Sequence, residues 1–125
     1  MVKSVLIADD HEMIRKALCE LFAEQEDFEV CAEAENGKEA VEMAQVFSPD
    51  LILLDLSMPV MNGIEAACEL KRTMPMVPIV VFSEYGDVLG EREARQTGIS
   101  AVVSKNAQLS VLLDRARSLC RPIAA

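Results

Sequence analysis

The chain has 125 residues, 51% hydrophobic and 26% charged, which describes one folded domain and excludes a disordered chain. Its net charge is −9, and residues 1–50 hold 13 acids against 4 bases while the remainder balances. That balance excludes direct, sequence-independent nucleic-acid binding, which needs a basic face to displace counterions.

Val5, Leu6, Ile7 and Ala8 predict a strand buried on both faces. Residues 11–24 follow with Met13, Ile14, Ala17, Leu18, Leu21 and Phe22 as a helical stripe. Residues 28–34 alternate, with Phe28, Val30, Ala32 and Ala34 on one side and Glu29, Cys31 and Glu33 on the other. A strand with one wetter face belongs at a sheet edge. Asn36-Gly37 predicts a turn and residues 38–47 a second helix. Leu51 to Leu54 is another buried run, residues 59–63 a loop, and residues 64–72 a third helix. Pro75 and Pro78 bracket the entry into Ile79, Val80, Val81 and Phe82. A helical stretch at 86–96 precedes Ala101, Val102 and Val103, and the last helix puts Leu109, Leu112, Leu113, Ala116 and Cys120 on one face. With aromatics at 4% and no Trp, the core is expected to be aliphatic and filled by Met.

Five strands alternating with five helices call for an α/β fold, a doubly wound parallel sheet with right-handed crossovers. The wetter second strand favours the flavodoxin-like order 2-1-3-4-5 over a barrel. The four cysteines, Cys19, Cys31, Cys68 and Cys120, show no metal-binding spacing and read as free core or boundary thiols in a reducing compartment. No apolar run reaches the about 7–15 residues of a secretory leader or the roughly 20 of a membrane span. The expectation is a cytoplasmic protein with no membrane contact.

Binding in such a sheet belongs at the carboxyl ends of the strands, where strand order reverses. Strand 1 ends in Asp9-Asp10, strand 3 in Asp55, strand 4 in Ser83 and strand 5 in Ser104-Lys105. Three carboxylates at one edge repel unless a cation joins them. Hard oxygen donors with room for water suit Mg²⁺, and Mn²⁺ would fit similarly. Against this stands the plainer reading that Asp9 or Asp10 caps the first helix and that Lys105 is solvated. The matching positions of all four strand ends favour the metal pocket.

Asp9-Asp10-His11, the stretch Asp55-Leu56-Ser57-Met58-Pro59 with Asn62-Gly63, Ser83 and Lys105 carry a family pattern. The sequence resembles the receiver domain of bacterial two-component response regulators, over essentially all of residues 2–120. The resemblance implies that Asp55 accepts a phosphoryl group from a sensor histidine kinase or phosphotransfer protein. It implies that Asp10 and Asp55 bind Mg²⁺ directly, Asp9 mostly through water, and that the Ser57 carbonyl completes the protein ligands. Lys105 would pair with Asp55 and then with the phosphoryl oxygens, and Ser83 would be the switch hydroxyl. Met58 and Pro59 would shape the loop, and Gly63 would allow tight entry into the third helix. The product is then a regulator rather than an enzyme, acting on a downstream protein and leaving room for a homodimer. Residues 1–125 are expected to form a single receiver domain without an output domain, either a whole regulator or the receiver part of a longer one.

Three positions depart from the pattern, and two more fill its variable places. Val102 replaces an aromatic that swings on activation, and a β-branched side chain cannot make that swing. Glu84 follows the switch hydroxyl where a small residue is usual, Asn106 follows Lys105 in place of proline, and Tyr85 and Ser57 fill two variable places that tune water access. The stretch at 86–96 has few large apolar residues, chiefly Val88 and Leu89, and carries Gly90 inside it. The signal is therefore expected to leave through Ser83 and residues 84–90. Competing readings are a degenerate receiver used as a docking scaffold, an Asp-nucleophile phosphatase, and a mononucleotide binder. The phosphatase needs a second acid where Ser57 stands, and the mononucleotide binder needs a phosphate cradle where Asp9-Asp10-His11-Glu12 stands.

Overall fold

The apolar runs become strands because they can be buried on both sides only between two helical layers. The computed structural model describes residues 2–83, 92, 96–105 and 108–120. In chain order it comprises β1 (Lys3–Ala8), α1 (Glu12–Ala23), β2 (Phe28–Ala34), α2 (Gly37–Phe47), β3 (Leu51–Asp55), α3 (Gly63–Thr73), β4 (Ile79–Ser83), β5 (Ala101–Ser104) and α4 (Leu109–Cys120). All strand pairs are parallel, and the sheet runs β2-β1-β3-β4-β5. The sequence expectation of order 2-1-3-4-5 is met. Of the expected stretch at 86–96, only Arg92 and Gln96 are described, both helical. The expectations placed on Glu84, Tyr85, Val88, Leu89, Gly90 and Asn106 lie outside the described residues.

Alternate residues of each strand feed two cores. On one face Leu6, Ala8, Ile52, Leu54, Ile79 and Val81 meet Ala40, Ala44, Ala66, Ala67 and Leu70 of α2 and α3. On the other, Val5, Ile7, Leu51, Leu53, Val80, Phe82 and Val103 meet Leu18 and Phe22 of α1 and Leu112, Leu113 and Ala116 of α4. Phe22 packs edge-on against Phe28, with ring centroids 5.1 Å apart. Among the described residues no helix is long and apolar enough to cross a membrane.

Four expectations need correction. Met13 is 87% exposed, and Ala17 is exposed with it. At about 100° per residue both fall on the side of α1 away from Phe22, and the buried stripe runs through Arg15, Leu18 and Phe22 instead. Methionine fills the core only in part: Met58 is buried and Met43, Met61 and Met74 pack against it half-buried, but Met76 is exposed like Met13. Ala40, Ala44, Ala66 and Ala67 of α2 and α3 are the fully buried apolar helix residues there, together with Leu70. The alternation of β2 breaks at Cys31, where Val30 pairs with Val5 but Ala32 pairs with Leu6. This bulge sends Phe28 and Val30 to the α1 side and Ala32 and Ala34 to the other. The Cys31 thiol lies 3.5 Å from the Val5 carbonyl oxygen at that break. Finally, all four cysteines are free, but Cys68 is exposed on α3 rather than in or beside the core.

Candidate functional site

Register brings the strand ends level: Ala8 lies beside Leu54, Asp55 beside Phe82, and Ser83 beside Ser104. Asp9 follows β1 directly and Lys105 follows β5 directly. Both therefore stand at the same edge as Asp55, beside the point where the order reverses around β1. Asp9 and Asp55 are almost fully buried, at 1% and 4% exposure. Lys105 Nζ lies between them, 3.1 Å from Asp55 Oδ1 and 3.2 Å from Asp9 Oδ2. It also stands over the Phe82 ring.

The turn from β1 into α1 shapes the rest of the acidic cluster. Asp9 Oδ1 accepts the His11 main-chain N–H at 2.8 Å. His11 is the N-cap, and no side chain caps the helix; neither Asp9 nor Asp10 is spent on conventional capping. The His11 Nδ1 lies 3.2 Å from Asp10 Oδ1 and 3.4 Å from Asp9 Oδ1. Donor atoms of Asp9, Asp10, His11 and Asp55 all fall within 4.8 Å of one another.

Beyond Asp55 the Ser57 N–H approaches Asp55 Oδ1 at 3.5 Å. The loop then turns tightly at Val60, whose φ of 69° is joined to a Met61 N–H to Pro59 carbonyl bond of 2.7 Å. A β-branched residue in that region is strained. Asn62 and Glu65 cap α3 reciprocally. Gly63 opens α3, where the helix enters hard against β3. A Cβ there would lie 2.3 Å from the Asp55 carbonyl oxygen, so glycine permits close approach rather than an unusual turn.

Burial, together with the neighbouring Asp9 carboxylate, pushes Asp55 up to about 6, against the pull of Lys105. Burial works against the Lys105 ammonium, but Asp55 and Asp9 outweigh it and hold its pKa above the ordinary value. Three carboxylates around one ammonium leave an excess of two negative charges, the charge of one divalent cation. Asp9 Oδ2 is buried, and among the described residues the Lys105 ammonium at 3.2 Å is its one charged partner. A buried carboxylate oxygen with a single shared cation, set among other hard oxygen donors, fits Mg²⁺.

A metal held in this pocket would make stability depend on metal and pH together. Asp55 takes its proton near 6 when folded but near 3.8 when unfolded. The folded state thus binds more protons in that window, and stability rises as pH falls through it. Mg²⁺ competes with that proton, so its stabilising effect should be greatest above 6 and fade below. Melting curves with EDTA and with millimolar Mg²⁺, between about pH 5 and 8, would show this. An Mg²⁺ shift independent of pH would count against the pocket.

Asp9, Asp10, Asp55 and Lys105 are thus brought together as the sequence suggests, and Ser57 joins them through its N–H. Ser83 reaches the same edge by its backbone. Two neighbours escaped the sequence reading. His11 carried a signal in the Asp-Asp-His run, and Arg15 carried one as a cation between Ile14 and Leu18 on the buried face of α1.

A family model described as the response regulator receiver domain matches residues 5–117. The chain is 35% identical over 117 residues to the response regulator protein VraR of Staphylococcus epidermidis, covering 94% of this chain and 56% of VraR. It is 37% identical over 114 residues to the chemotaxis protein CheY of Halobacterium salinarum, covering 91% of this chain and 93% of CheY. The chain thus spans little more than half the length of VraR and most of CheY. Among solved structures, the response regulator domain of Thermotoga maritima CheB superposes with a TM-score of 0.85 at 27% identity, covering 98% of this chain and 99% of that one.

Proposed function

The chain belongs to the response regulator receiver domain family, and from that premise we propose that it is a signalling receiver phosphorylated on Asp55. The donor is a phosphohistidine on a partner kinase or phosphotransfer protein, and the reaction depends on Mg²⁺. One observation carries the reading: two buried carboxylates, Asp55 and Asp9, share the Lys105 ammonium at 3.1 and 3.2 Å. A structural ion pair needs one acid; the second supplies charge for a cation.

In this reading an Asp55 carboxylate oxygen attacks the phosphorus, and the P–N bond to the donor imidazole breaks with its electron pair staying on nitrogen. Phosphoryl transfer asks mainly for positioning and charge neutralisation. Asp10, Asp55 and the Ser57 carbonyl would hold Mg²⁺ directly and Asp9 through water. The cation, when bound, neutralises phosphoryl oxygens. Lys105 stays paired to Asp55 before transfer and turns to a phosphoryl oxygen after it. Ser83 supplies the hydroxyl that senses the phosphoryl group, and the altered surface regulates a downstream protein or a further domain. Val102 pairs with Val81 and packs half-buried against the core on that face of the sheet. We therefore place the outgoing signal at Ser83 and the segment after it.

Incubation with acetyl phosphate and Mg²⁺ is expected to add one phosphoryl group, read by intact mass. EDTA should prevent it, and Asp55→Asn should abolish it. Undiminished labelling of the Asp55→Asn protein would sink the reading. Metal binding should suffer more from Asp10→Ala than from Asp9→Ala.

A further inference from the structure

Arg15 is 7% exposed, a charge placed on the buried face of α1. Its ion-pair partners do not explain that depth. Glu33, 3.1 Å away, is 40% exposed, and Glu35, 3.7 Å away, is 69% exposed. What the guanidinium meets inside is main chain: Nη1 donates to the Asp9 carbonyl at 2.9 Å. Long helical side chains lean toward the N-terminus of their helix, which is how Arg15 reaches back over the turn. Its own N–H donates to the His11 carbonyl at 2.9 Å.

The Asp9 N–H is already held by the Ala34 carbonyl at 3.0 Å. β1 ends at Ala8, and among the described residues no main-chain N–H donates to the Asp9 carbonyl. Arg15 supplies a partner for that carbonyl, so that Ala34 and Arg15 between them hold both peptide groups of Asp9. Asp10 and His11 follow on the same rigid turn. We propose that Arg15 is a positioning residue of the metal pocket: its bond to the Asp9 carbonyl sets the direction in which Asp9 and Asp10 present their oxygens. The proposal rests on the reading of this pocket as an Mg²⁺ site.

The test exploits a conflict of signs. A nearby cation repels Mg²⁺, so if Arg15 acted only through its charge, removing it would tighten binding. If it positions the turn, removing it weakens binding. Mg²⁺ titration by calorimetry on the full chain measures this. Arg15→Met, which keeps much of the apolar stem, is expected to weaken affinity about 10–100-fold, the range for residues that orient metal ligands. Glu33→Gln should leave affinity near that of the unaltered protein, and Arg15→Lys should recover part of the loss. Unchanged or tighter binding by Arg15→Met overturns the proposal, as does an equal loss from Glu33→Gln. Failure of the unaltered protein to bind Mg²⁺ overturns the underlying reading, and the proposal with it. Should Arg15→Met not fold, the Arg15 Nε–H resonance carries the test. It is expected to shift along the Mg²⁺ titration with the midpoint of the pocket amides, and a stationary resonance overturns the proposal.

Discussion

Lys105→Met is expected to destabilise the metal-free protein by about 3–5 kcal/mol at neutral pH, the usual cost of removing one member of a buried charge pair. Lys105 is the cation between Asp9 and Asp55, both nearly inaccessible to water. Methionine keeps the stem's contact with the Phe82 ring but returns no charge. The two carboxylates then face each other uncompensated. Asp55, already pushed to about 6 with Lys105 in place, rises further without it. Protons relieve the variant: its folded state binds them over a wider window than the unaltered protein, so its stability climbs more steeply as pH falls toward 4. Mg²⁺ relieves it too, by binding only the folded state. Urea melts in EDTA across that range would measure the effect. Equal stability of the two proteins above pH 7 would show that the ion pair is not buried as described. Phosphoryl transfer to the variant should be nearly lost even with Mg²⁺, because one of the two cations proposed to face the phosphoryl oxygens is missing.

The pocket was legible because its members depend on coarse features. A continuous apolar run marks a buried parallel strand, its polar end marks the carboxyl edge, and parallel pairing puts every such edge on one side. Asp9, Asp55 and Lys105 follow from that logic without any side-chain detail. Arg15 did not follow, since a basic residue inside an amphipathic helix usually lies on its wet face, and only the tertiary approach of Asp9 and Glu33 gives it partners. The same holds for Cys31. One extra residue in β2 reverses the side each later residue faces, and nothing in the run of residues 28–34 encodes which one is extra. Met13 is apolar but lies on the opposite side of α1 from Phe22, so apolar content alone misplaces it. Side-chain chemistry at strand ends is fixed by topology, whereas bulges and buried cations are fixed by neighbours distant in sequence.

Gly63→Ala is expected to cost about 3 kcal/mol or more, the upper range for forcing an extra methyl into a filled space. Its Cβ would lie 2.3 Å from the Asp55 carbonyl oxygen and 2.9 Å from Leu56 Cα, both main-chain atoms that cannot rotate away. Two adjustments are open. α3 can retreat, which stretches the 3.0 Å bond from the Gly63 N–H to the Leu56 carbonyl and disturbs the Asn62–Glu65 cap. Alternatively the Asp55 peptide can tilt, which moves its carboxylate off Lys105. Either way the strain is delivered to the residue proposed to accept the phosphoryl group. Gly37→Ala provides the control, because its Cβ would meet the Met61 carbonyl at the same 2.3 Å but at a distance from Asp55 along the loop. Both variants should melt earlier than the unaltered protein. Only Gly63→Ala should also lose Mg²⁺ affinity and acetyl phosphate labelling when compared below its own melting point. If Gly63→Ala, still folded, binds Mg²⁺ and labels like the unaltered protein, then the contact between α3 and Asp55 is packing alone, and the pocket is held by Lys105 and the β1–α1 turn.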